Sequence, residues 1–145
     1  MEVGRGDAGR VGVPGARLVA LAVHRELGPG LLESVYEECL CLALDAACIS
    51  YVRQGSVPVV FRGQKIEQGF RFDLLVEREV IVEVKAVEQI MSIHKAQVLT
   101  YLKLTGAPLG LLINFHVPVL KEGIRRLVNP ASGLDVRMPK PFSSS

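Results

Sequence analysis

The stretch Phe70-Arg71-Phe72-Asp73-Leu74-Leu75-Val76-Glu77-Arg78-Glu79-Val80-Ile81-Val82-Glu83-Val84-Lys85 decides how the chain folds. Two runs of apolar and β-branched residues flank the polar Glu77-Arg78-Glu79, which predicts two strands joined by a tight turn. Asp73, Glu83 and Lys85 lie inside these apolar runs. Charge in such a strand is costly unless it meets an opposite charge or a metal ion. With the turn centred on Arg78, Asp73 and Glu83 are equally far from it, so they fall opposite or diagonal to one another. Alternation puts Glu83 and Lys85 on one face, about 6.6 Å apart at standard rise, and Val84 on the other.

Working outward, Val57-Pro58-Val59-Val60-Phe61 reads as a strand in which Pro58 marks an edge or a start. Arg62-Gly63-Gln64-Lys65 is a turn, and the chain then passes through Ile66 and Gly69 into the strand bearing Asp73, completing an antiparallel meander. Downstream, Ser92 is placed to cap a helix over Ile93 to Thr105, ended by Gly106 and Pro108. The continuous apolar run Leu109 to Phe115 suits a strand buried on both faces. A strand, a helix and a buried strand in succession imply a right-handed crossover and a partly parallel sheet. Ile124 to Val128 reads as a last edge strand.

Upstream, a helix is expected from Pro14, with Val19, Val23 and Leu27 on its apolar face, broken by Gly28-Pro29-Gly30. A second runs from Leu31 to Ala47, with Leu32, Val35, Tyr36, Cys39, Leu40, Ala43 and Ala47 as its stripe and Glu37, Glu38 and Asp45 facing elsewhere. The architecture is α/β, with helices packed against a mixed sheet. Residues 1–13 read as a disordered tail, 14–129 as the domain and 130–145, beginning beside Asn129, as a loose end.

At 145 residues, 49% apolar and 22% charged, the chain has the composition of one soluble globular domain. A net charge of +2 means that any nucleic-acid site is a local patch. Cys39, Cys41 and Cys48 fit neither a disulfide framework nor a zinc knuckle and read as reduced packing residues. No apolar run reaches membrane-spanning length and no signal peptide is evident, so the expected location is cytoplasmic.

Asp73, Glu83 and the backbone carbonyl of Val84 would make an oxygen-only site suited to Mg²⁺ or Mn²⁺, completed by water. Lys85 beside it can position a water and stabilise a pentacovalent phosphate, which is the equipment for phosphodiester hydrolysis. The bland reading is a salt-bridge cluster on a solvent-facing strand. Gln97 and Tyr101 share a face of the Ile93 to Thr105 helix with Ile93 and Leu104, and the sheet bearing Glu83 and Lys85 is their nearest partner. Otherwise Gln97 is merely exposed and Tyr101 a core residue with its hydroxyl at the rim. Glu33 has two readings, a carboxylate favoured by the helix dipole or a residue of the site. His94, one turn before Gln97, lines the same cleft or serves the helix terminus. His24 reads as a surface residue of the first helix and His116 as part of a loop. Lys121, Arg125, Arg126, Arg137 and Lys140 read as a solvated basic edge.

Taken together, these segments resemble the GxxExxY protein family, a branch of the PD-(D/E)XK nuclease superfamily. The name motif stands as Gly30-Leu31-Leu32-Glu33-Ser34-Val35-Tyr36. Phe70 to Val76, Ile81 to Lys85, Ile93 to Leu102 and Gly110 to Phe115 are similar in the same order, so the resemblance spans about Ala16 to Val128. It implies a restriction-endonuclease-like core and a Mg²⁺- or Mn²⁺-dependent nuclease acting on DNA. Asp73 and Glu83 would bind the metal, Lys85 would be the catalytic lysine and Gln97 with Tyr101 would position substrate. Glu33 would be the carboxylate that a core helix directs at the metal, with His94, Tyr36 and Arg71 as supporting residues. Phe72 stands where the superfamily name has Pro, and the three cysteines do not match the four-cysteine iron–sulfur layout of some relatives. A homodimer or a protein partner would supply specificity. The alternative is a catalytically silent nuclease fold that binds nucleic acid or a protein partner.

Overall fold

The computed structural model describes residues 8–131; of the expected tails, 1–7 and 132–145, with Arg137 and Lys140, lie outside the described residues. Helix α1 spans Ala8–Leu27, so it begins before the expected start at Pro14, which lies inside it. Gly28 and Gly30 then take positive φ, 68° and 108°, and turn the chain into α2, Glu33–Ala46. Strands β1 (Tyr51–Arg53), β2 (Ser56–Phe61), β3 (Gln64–Arg71), β4 (Leu74–Val76) and β5 (Val80–Lys85) follow. Helix α3 (Ser92–Thr105) crosses over to β6 (Leu109–Asn114), and β7 (Ile124–Val128) closes the domain.

The strands form a five-stranded sheet ordered β1-β4-β5-β6-β7 and a separate hairpin β2-β3. β5 and β6 are parallel, as the crossover requires, and the remaining pairs are antiparallel. The expected single meander is thus divided. Its long strand breaks at Phe72-Asp73, directly opposite a break at Gln54-Gly55. The pairing register nevertheless runs on through the joint, from Arg53 with Leu74 to Ser56 with Arg71. Gln54 N–H donates to the Asp73 carbonyl at 2.7 Å, and Phe72 N–H donates to the Gly55 carbonyl at 3.0 Å. Gly55 is required here, because a Cβ would lie 2.2 Å from the buried Phe72 ring. Pro58 sits where β2 skips a partner between Val57 and Val59, a bulge that accommodates a residue without an N–H.

Alternation along β5 divides the core. Val80, Val82 and Val84 pack with Leu111, Ile113, Phe115, Tyr36, Leu40, Leu44 and Ala20 beneath α1 and α2. Ile81 faces the other way, with Leu112, Val57, Phe72, Val98, Tyr101 and Leu102 of the hairpin and α3. Gly110 lets α3 approach, since a Cβ there would meet the Val98 side chain at 2.7 Å.

Several expectations are corrected. The buried residues of α2 are Tyr36, Glu37, Leu40, Cys41 and Leu44, whereas Leu32 and Val35 are exposed, because the helix rests on the sheet along a stripe rotated from the expected one. Cys48 is exposed, past the end of α2. His24 is buried: its Nε2 lies 2.9 Å from the Val117 carbonyl and its ring is 6.2 Å from that of Phe115. Ser92 begins α3 rather than capping it, and His94 Nδ1 accepts the Met91 N–H at 2.9 Å. Ile93 is exposed. Asn129 is fully buried and fixed, its side-chain amide donating to the Leu102 and Ala107 carbonyls at 2.9 Å each.

Candidate active site

The turn joining β4 to β5 is three residues long, with Glu77 and Arg78 both at positive φ, and it sets the register Val76 to Val80 and Leu74 to Val82. One step further on, Asp73 and Glu83 are opposite, as their distances from Arg78 predict. Asp73 N–H donates to Glu83 Oε1 at 3.3 Å, and Val84 N–H donates to Asp73 Oδ2 at 2.8 Å. The two carboxylates therefore meet at the mouth of the joint where the chain leaves the main sheet for the hairpin.

Glu83 is only 5% exposed. Burial, and after it the charge of Asp73, pushes its carboxyl up to about 8, against the smaller opposing effects of the Asp73 N–H and Lys85. Burial also raises Asp73, partly countered by the Val84 N–H. Lys85 lies on the same face and is half-buried. Among the described residues the ion pairs are Arg53 with Glu37 and with Glu38, and no ammonium or guanidinium closes on Asp73 or Glu83. A salt-bridge cluster therefore does not account for the pair.

From α3, Tyr101 packs its ring on Phe70 of β3, centroids 4.5 Å apart. Its hydroxyl is pushed up to about 12, first by burial and then by the charges of Glu83 and Asp73, which places it in their field. Gln97, one turn earlier, is exposed. Arg71, at the end of β3 opposite Ser56, is exposed, and His94 is engaged at the N-terminus of α3.

From α2, Glu33 Oε2 accepts the Ala86 N–H at 3.2 Å, so it sits just past Lys85 at the end of β5. Tyr36 is fully buried on the opposite side, stacked on Phe115 at 4.5 Å. Its hydroxyl donates to the Gly28 carbonyl and accepts the Leu31 N–H, holding the turn from which α2 and Glu33 start. The residue that sequence reasoning missed is Glu37. It is buried, it accepts Arg53 Nε–H and the Gln54 side-chain amide at 2.8 Å each, and its charge reaches both Asp73 and Glu83. Its spacing of four from Glu33 was the available signal.

Among the described residues, no three His, Cys, Asp or Glu side chains gather closely enough to hold a metal ion, so Glu33 does not join Asp73 and Glu83 in a carboxylate triad. A hard divalent cation fits the pair nonetheless. Mg²⁺ is commonly held by one or two carboxylates with waters completing its shell, and a cation is what would favour the ionised form of a carboxyl buried beside another.

A family model of the PD-(D/E)XK nuclease superfamily matches residues 16–127. The chain belongs to that superfamily. No curated protein and no solved structure matches it. No helix among the described residues is long and apolar enough to cross a membrane.

Proposed function

We propose that this member of the PD-(D/E)XK nuclease superfamily is a metal-dependent nuclease of the GxxExxY branch, hydrolysing DNA phosphodiester bonds with Mg²⁺ or Mn²⁺. The observation that carries the reading is the pair of half-buried Asp73 and buried Glu83, side by side with no cationic side chain closing on them. Asp73, Glu83 and the Val84 carbonyl would hold the cation, with Glu33 completing the set through water. The cation supplies a Lewis acid that polarises a phosphate oxygen.

The other roles belong to the chain. Lys85, on the Glu83 face and without an ion pair to either carboxylate, places an ammonium where negative charge grows on the phosphate. Tyr101 and Gln97 form the α3 wall that orients the substrate strand. The arrangement of the Gly30 to Tyr36 motif supports the branch assignment, since Tyr36 fixes the turn and Glu33 reaches β5. Arg71 and His94 would support this wall, and specificity would come from a second copy or a protein partner.

The test is cleavage of labelled single- and double-stranded DNA with Mg²⁺ or Mn²⁺. Lys85→Ala is expected to abolish cleavage while its circular dichroism and thermal midpoint stay near those of the parent. Equal cleavage by Lys85→Ala would assign the activity to a contaminant. Salt-dependent DNA binding without cation binding would mark a silent nuclease fold.

A further inference from the structure

Gln54 occupies the joint between β1 and β2 with φ 52°, the left-handed region that residues other than glycine, asparagine and aspartate seldom adopt. This conformation turns both its backbone and its side chain onto Asp73. The Gln54 N–H donates to the Asp73 carbonyl at 2.7 Å, and its Nε2 donates to Asp73 Oδ1 at 3.4 Å. The same amide nitrogen donates to Glu37 Oε2 at 2.8 Å, and Arg53 Nε–H meets that oxygen at 2.8 Å. Across the joint, the Val84 N–H holds Asp73 Oδ2 at 2.8 Å. Each Asp73 oxygen therefore has its own donor, a close one from β5 and a longer, solvent-exposed one from Gln54, and together they orient the carboxylate.

We propose that Gln54 is a positioning residue for Asp73, anchored from behind by its hydrogen bond to Glu37. The inference rests on the reading of Asp73 as a cation ligand. Glu37 is then a support and not a third ligand, because the oxygen it turns toward the site already receives two donors. A backbone strained at a polar site, in a segment whose side chain reaches a neighbouring carboxylate, is the pattern expected when local geometry serves a ligand. Outer hydrogen bonds of this kind orient ligands, and losing one weakens metal binding about 10- to 100-fold.

The test measures Mn²⁺ affinity by electron paramagnetic resonance, with the thermal midpoint, for the full chain and for Asp73→Asn, Gln54→Gly, Gln54→Asn and Glu37→Gln. Glycine and asparagine both tolerate the left-handed conformation, so neither Gln54 variant is expected to melt lower. Gln54→Gly should bind Mn²⁺ about tenfold more weakly or worse, and Gln54→Asn, too short to bridge both carboxylates, should resemble it. Glu37→Gln keeps an acceptor for the bridge and should stay within about threefold of the parent, well short of the loss from deleting the bridge. Unchanged affinity in both Gln54 variants, with binding lost in Asp73→Asn, would overturn the inference alone. A parent chain that binds no Mn²⁺ would overturn the functional reading and the inference with it.

Discussion

On one face of β5, Val80, Val82 and Val84 are buried against α1 and α2; on the other, Ile81 is followed by Glu83 and Lys85 beneath α3 and the hairpin. The first face is closed by Leu111, Ile113 and Phe115 and by the Tyr36 ring stacked on Phe115. The second admits a carboxyl that burial holds well above its ordinary range. The same strand thus gains stability on one side and carries on the other a carboxyl whose ionisation is destabilising. A site of this kind needs the closed face, because a buried unpaired carboxylate costs several kcal/mol in order of magnitude.

Breaking the closed face should have the largest effect. Phe115→Ala removes the partner of both Tyr36 and His24 and should cost about 3–5 kcal/mol in urea unfolding. Cation affinity per folded molecule should change little, since the proposed site lies on the other face.

The charged face should respond to pH. Glu83 titrates at about 8 in the fold against an ordinary value of 4.5, and Asp73 is raised in the same direction. The folded state therefore binds the proton more tightly than the unfolded chain. The stability this gives is complete below the unfolded value and is lost as pH rises through the folded one. Without divalent cation, stability should fall by an amount on the order of a few kcal/mol between about pH 5 and about pH 9. Mg²⁺ should restore it at the upper end. Glu83→Gln should flatten the slope, stabilise the protein at high pH and abolish the Mg²⁺ effect, all read from urea unfolding.

The smallest effect is expected at Tyr101. Tyr101→Phe keeps the ring contact with Phe70 and loses the hydroxyl in the field of the two carboxylates, so stability should move by less than about 1 kcal/mol. If the hydroxyl positions substrate, KM for DNA rises several-fold, in order of magnitude, with kcat nearly kept.

The difference between the faces was largely legible in the sequence. Period-two alternation and the turn at Glu77 to Glu79 set the register that brings Asp73 to Glu83, and the run Leu109 to Phe115 announced the strand Leu109–Asn114, buried on both sides. What escaped depended on contacts between distant segments. Glu37 is one of several helix carboxylates until Arg53 and Gln54, on a short strand and its joint, turn back to it. The break at Phe72-Asp73 follows from the Phe72 ring lying against Gly55, which periodicity does not encode. His24 is polar in isolation, and its burial depends on the Val117 carbonyl far along the chain.

The most direct test is a crystal structure of the chain soaked in Mn²⁺, with anomalous data collected at the manganese edge. The account predicts one strong peak bonded to Asp73 and Glu83 oxygens at about 2.0–2.6 Å, the span of hard divalent ions from Mg²⁺ to Ca²⁺. No peak there, or a peak held by other residues while Asp73 and Glu83 share a proton, would contradict it.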